Sequence, residues 1–151
     1  MSINLNDLGL NNKKYLYSVC EEVSIEDDNQ VLKDIIDHMF RVMAKENGIG
    51  LAANQIGLNK RIIVVNVNQL KQEFINPVIV KTRGSKTLSV ESCLSFPGIQ
   101  VKMWRYKDII VEGFDRDWTP IRRKLKGLNA CVVQHEVEHL DGITISVGGA
   151  F

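Results

Sequence analysis

From Gln30 onward the apolar residues Val31, Leu32, Ile35, Ile36, Met39, Phe40, Val42 and Met43 recur every three to four positions. That spacing is the stripe of an amphipathic helix, predicted to run from Gln30 and to end before Gly48. The acidic segment 24–29 suits its start. Asn47-Gly48-Ile49-Gly50 then favours a tight loop, because glycine admits backbone conformations that end a helix. Downstream the period changes. Segment 61–67 is rich in β-branched residues and reads as a buried strand. A strand end at 74–75 meets a turn at 76–77, and 78–80 and 87–90 read as extended. Segments 99–103, 108–114 and 119–125 read as strands, with a hairpin tip at 115–118. Gly127 opens a second helix over 128–140, closed near Gly142. Segment 5–23 is irregular and polar. Helix, short strands, helix predicts an α+β fold, mostly antiparallel sheets around a central helix.

At 151 residues the chain suits one domain spanning 1–151. Hydrophobic and charged fractions of 44% and 25% place it among ordinary globular proteins rather than disordered ones. The net charge of +1 gives no electrostatic case for nucleic acid or an anionic membrane as a general partner. No apolar run approaches the roughly 18 residues that span a bilayer. The first seven residues lack the basic and apolar regions of a signal peptide, so a cytoplasmic location is expected. Cys20, Cys93 and Cys131 are widely spaced and odd in number, so no disulfide framework is expected.

The chemistry concentrates in Gln134-His135-Glu136-Val137-Glu138-His139-Leu140-Asp141-Gly142. Residues four apart on a helix share a face, so His135 and His139 can grip one divalent metal while Glu136 reaches a water on it. The implied chemistry is attack by metal-activated water on a carbonyl or similar electrophile. An amphipathic helix whose histidines merely hydrogen-bond has the same spacing. His38, by contrast, has no ligand-type neighbour in its helix and reads as structural or solvent-facing. Catalytic sites of this kind carry three protein ligands. Cys93 is the best candidate for the third, in Glu91-Ser92-Cys93-Leu94-Ser95-Phe96-Pro97-Gly98, where a Pro-Gly turn can aim a side chain. A buried cysteine in a strand is the alternative. In Gly48-Ile49-Gly50-Leu51-Ala52-Ala53-Asn54-Gln55 the small residues allow close backbone approach, and Gln55 can donate an amide N–H to a developing oxyanion.

In order and spacing, these three blocks resemble the signature motifs of the peptide deformylases. The resemblance implies a peptide-deformylase-like fold and an enzyme that removes the formyl group from N-formylmethionine on newly made polypeptides. It implies Cys93, His135 and His139 as ligands of one divalent ion, naturally Fe2+, with Zn2+, Ni2+ or Co2+ able to replace it. Glu136 would be the general base and acid. Gln55 and the backbone N–H of Leu94 would steady the tetrahedral intermediate. Glu91, two residues before the cysteine, is expected to pair with Arg105 by the same analogy.

Leu128, Cys131 and Val132 share the face of His135 on the second helix. With Ile49 and Gly50 they are expected to bind the methionine side chain, which an apolar stripe suits. The sequence departs from the family pattern in Ser92, where glycine is usual, and in Glu138, where aspartate is usual. It also stops nine residues after Gly142, where bacterial members commonly continue into a ribosome-docking helix. A compact member of the kind that phages carry is expected, a monomer acting on formylmethionyl peptides, with ribosome docking left open. Two other readings remain: a zinc endopeptidase of the H-E-x-x-H type, and a non-catalytic formyl-peptide-binding relative.

Overall fold

The structure, a computed structural model, describes residues 3–145. The first helix, α1, spans Asn29–Lys45. The Asp28 side chain accepts hydrogen bonds from the N–H groups of Gln30 and Val31, supplying two of the partners that a helix start lacks. The stripe read from the sequence is the buried face, with Leu32, Ile35, Ile36, Met39 and Met43 inside. Asn47, at φ 55°, turns the chain out of the helix. The anticipated Gly-rich loop gives way to a short strand, β1, at Gly50–Ala52, followed by a 3-10 turn at Ala53–Ile56.

Four more strands follow: β2 Ile62–Val67, β3 Leu70–Cys93, β4 Phe96–Phe114 and β5 Pro120–Lys126. They form one antiparallel sheet in the order β1-β2-β3-β4-β5. The second helix, α2, is Gly127–Leu140. Gly127, at φ 59°, makes the sharp turn from β5 into it.

Strand β2 shows why its sequence is apolar throughout. Ile62 and Val64 join α1 in one core cluster, while Ile63 and Val65 join Phe74, Ile109, Val111, Ala130, Val133 and Leu140 in a second, beneath α2. Both faces of the strand are covered, so alternation disappears. His38 is structural: its Nε2 lies 2.7 Å from the Leu8 carbonyl oxygen.

Two expectations about the strands need correction. Residues 76–77 do not end a strand, and 99–103 and 108–114 are not separate. β3 runs through Asn76, at φ 52°, and register shifts at Ile75/Val78, Ile79/Lys81 and Arg83/Lys86 absorb the irregularities. Bulges of this sort bend a strand without ending it. The hairpin turn after Cys93 is Leu94-Ser95, since Cys93 pairs with Phe96. Pro97 and Gly98 lie in β4, within a further register shift between Ser92 and Cys93. The stretch beyond Gly142, where no further helix was expected, falls mostly outside the described residues, as do Met1 and Ser2 of the N-terminal segment.

Candidate metal centre and active site

Cys93 ends β3 at the tip of the long hairpin, and α2 passes beneath it. The Cys93 Sγ lies 3.2 Å from His139 Nε2, and the two histidine Nε2 atoms are 3.1 Å apart. All three donor atoms lie within 4.8 Å of one another, and all three residues are buried. A tetrahedral ion with bonds of about 2.3 Å to sulfur and about 2.05 Å to nitrogen would hold its donors about 3.3–3.6 Å apart. The Cys93–His139 and His135–His139 pairs are within a few tenths of an ångström of that spacing, and the donor set of one thiol and two imidazoles suits such an ion.

The His135 ring is oriented by a polar chain. Its Nδ1 sits 2.9 Å from Glu91 Oε1. Arg105 grips both oxygens of Glu91 through Nε and Nη2, at 2.9 and 2.8 Å. The Arg105 Nη1 also donates to the Glu138 carboxylate one turn along α2. Arg105 is buried at 3% exposure, so its charge is met by these carboxylates rather than by water. Burial would raise the Glu91 carboxyl, but the hydrogen bonds from Arg105 and then His135 outweigh it and hold the group down to about 2. Glu91 therefore stays charged and orients the His135 ring so that Nε2 faces the cluster.

His139 is held differently. Burial, then the charge of His135, keeps this imidazole neutral. Its Nδ1 is buried without a hydrogen-bond partner among the described residues. The grip is on its backbone: Asn54 Nδ2 donates to the His139 carbonyl oxygen and, at 3.3 Å, to that of Tyr15. The next carbonyl, Leu140, accepts from the Cys20 N–H at 2.8 Å and from Arg61 Nη1 at 3.0 Å. These bonds occupy the carbonyls that a helix end leaves open.

Gln55 shares the 3-10 turn with Asn54 and has a fixed amide. Its Oε1 accepts from the Ala52 N–H at 2.8 Å, which fixes which end is oxygen. One N–H goes to Ser95 Oγ at 3.0 Å, while the amide nitrogen stands 3.4 Å from Cys93 Sγ. The second N–H thus points to the metal-ligand cluster. Glu136 is 5% exposed and its Oε1 has no hydrogen-bond partner among the described residues. Burial pushes its carboxyl up to about 7, although the neighbouring His135 charge pulls the other way. A Cβ at Gly50 would stand 2.6 Å from Glu136 Oε2 and 2.8 Å from Val132 Cγ1, so only glycine lets β1 pass this close.

A cavity of about 340 Å³ opens onto these groups. Ile49, Gly50, Leu128, Cys131 and Val132 line it together with Gln55, Cys93, Leu94 and Glu136. Ile49 and Leu128 are half-exposed at its mouth. Every site residue singled out in the sequence lies in this cavity or in the polar chain behind it, except His139, which joins the donor cluster from below the cavity lining. Missing from the sequence reading were Ser95, whose hydroxyl fixes Gln55, and Asn54, whose contact with the last turn of α2 spans 85 positions. Both lay inside the motifs, but nothing in their spacing named a partner.

A model of the polypeptide deformylase family matches residues 7–147. A peptide deformylase of Pelotomaculum thermopropionicum is 47% identical over 115 residues, covering 76% of this chain and 74% of that protein. One from Thermodesulfovibrio yellowstonii is 41% identical over 140 residues, covering 88% and 84%. Among solved structures, the PDF of the Vibrio parahaemolyticus bacteriophage VP16T, in complex with actinonin, superposes with a TM-score of 0.85 at 40% identity. It covers 92% of this chain and 99% of that one. The peptide deformylase of Thermotoga maritima superposes with a TM-score of 0.85 at 32% identity, covering 92% and 93%.

Proposed function

The chain belongs to the polypeptide deformylase family, and from that premise we propose that it hydrolyses the formyl group from N-formylmethionine at the start of newly made polypeptides. The observation that carries this reading is the convergence of Cys93, His135 and His139 beside a buried, unpartnered Glu136 oxygen. An endopeptidase reading of His135-Glu136-x-x-His139 uses neither Cys93 nor Gln55 and is not favoured. A merely binding relative has no need of a buried carboxylate oxygen left without a partner among the described residues beside the three donors.

Cys93, His135 and His139 would hold one divalent ion, proposed to be ferrous iron with zinc, nickel or cobalt as substitutes. Bound there, the ion would supply Lewis-acid activation of water and of the formyl oxygen. Glu136 takes the proton of the attacking water and returns it to the amine nitrogen as the C–N bond breaks, leaving formate and a free amine. Gln55 offers its second N–H to the oxyanion of the tetrahedral intermediate, and the Leu94 backbone N–H is assigned beside it. Ile49, Gly50, Leu128, Cys131 and Val132 receive the methionine side chain. The proposed setting is the cytosol, with the protein acting as a monomer. None of the helices described is long and apolar enough to cross a membrane.

Formate release from formyl-Met-Ala-Ser by anaerobically purified protein, together with metal analysis, tests the assignment. Turnover proportional to bound iron is the expected result. Gln55→Ala should retain metal and fold while losing about 3 kcal/mol of transition-state stabilisation, two orders of magnitude in kcat or more. Unimpaired turnover in that variant removes Gln55 from the mechanism.

A further inference from the structure

The net charge of +1 averages two unlike parts of the molecule. Residues directly opposed in an antiparallel sheet share a face. The register of β3, β4 and β5 therefore sets Lys81 and Lys124 on either side of Ile110, and Arg83 and Lys126 on either side of Asp108. One row further, Glu112 stands between Val78 and Arg122. Along β4 the same face continues through Trp104 and Lys102, opposite Leu88 and Val90, and Lys86 lies over the Tyr106 ring at 4.9 Å. All seven cations are exposed. Only Arg122 has a carboxylate partner among the described residues, Glu112. Asp108 is the one further acid on these rows. Elsewhere Lys33, Lys60, Arg61, Arg105 and Arg116 are ion-paired, while Lys13, Arg41, Lys71 and Arg123, also without a carboxylate partner among the described residues, lie off these rows. Trp104 is 55% and Leu88 46% exposed.

We propose that this outer sheet face docks single-stranded RNA, with its unpaired cations on the phosphates and Trp104 under a base. Uncompensated like charges in rows repel one another; a polyanion's phosphates neutralise them, and the counterions it releases on binding add a further driving force. An exposed aromatic interleaved with cations is the arrangement on which unpaired bases stack. A second copy of the chain is disfavoured, since it would bring like charge to like. The choice of RNA over DNA rests on the proposed substrate, because newly made polypeptides are met beside RNA.

The test is fluorescence anisotropy with a labelled oligouridylate and the full chain. Engagement of about four phosphates predicts a Kd that weakens about fifty-fold between about 50 and about 200 mM KCl. The triple variant K81E/K124E/K126E should lose at least tenfold in affinity and most of the salt slope, while formate release is unchanged. Trp104→Ala should lose several-fold in affinity with the slope retained. Absent binding at low salt, or equal binding by the triple variant, overturns the proposal. So does capture by phosphatidylserine vesicles in place of RNA. Because anisotropy does not read formate release, failure of the deformylation assay leaves this result legible.

Discussion

His135 and His139 stand one turn apart on α2 and meet at their Nε2 atoms, yet they are secured by opposite means. The His135 ring is steered through its far nitrogen by Glu91, which Arg105 and Glu138 hold in turn. The His139 ring has no hydrogen-bond partner at that position among the described residues and is placed by its backbone, whose carbonyl Asn54 holds where the helix ends. One donor depends on a chain of charges reaching into the hairpin. The other depends on where the helix stops. The difference teaches that one of a pair of side chains can be fixed through its ring and the other through its backbone, so damage to one device need not mimic damage to the other.

The comparison can be broken most forcefully at Arg105. Arg105→Leu strands the buried Glu91 charge and should destabilise the metal-free protein by about 3–5 kcal/mol. A loss under about 1 kcal/mol by urea unfolding would show that the chain of charges does not hold this region. Next in size, Glu91→Ala should lower metal affinity about 10–100-fold in chelator competition, as loss of a group orienting a ligand ring does. Asn54→Leu removes the backbone grip instead and should cost about 1–2 kcal/mol of stability. Its metal affinity should fall less than that of Glu91→Ala, and an equal fall would erase the contrast. The mouth of the cavity comes last. Leu128→Trp should raise KM for formylmethionyl peptides several-fold with kcat little changed, and an unmoved KM would take Leu128 out of the substrate pocket.

The sequence made some of this legible because local rules governed it. The stripe of α1 and the four-residue spacing of His135 and His139 are helix properties, and both carried directly into the structure. Cys93 was recoverable because its block resembled a known motif, although the turn that aims it is Leu94-Ser95 rather than Pro97-Gly98. The long hairpin was not legible. Asn76-Pro77 has the composition of a turn, and only the pairing of Ile75 with Phe114 and Val78 with Glu112 shows that the strand bulges and continues. The grip of Arg105 on Glu138 was invisible for a similar reason, because the two meet across 33 positions and no period links them. The charge of the outer sheet face was hidden by summation. Acids concentrated before residue 47 cancel cations that the register of β3 to β5 gathers elsewhere.

Gly50 carries a consequence for how this protein can change over generations. The wall that a methyl group would strike is made of Val132 and of the carboxylate at 136 itself. Positions 50, 132 and 136 are thus sterically coupled. Shrinking Val132 alone would still leave a side chain at 50 against the carboxylate, so a larger residue there forces Glu136 to move, and this corner of the molecule has little room for substitution.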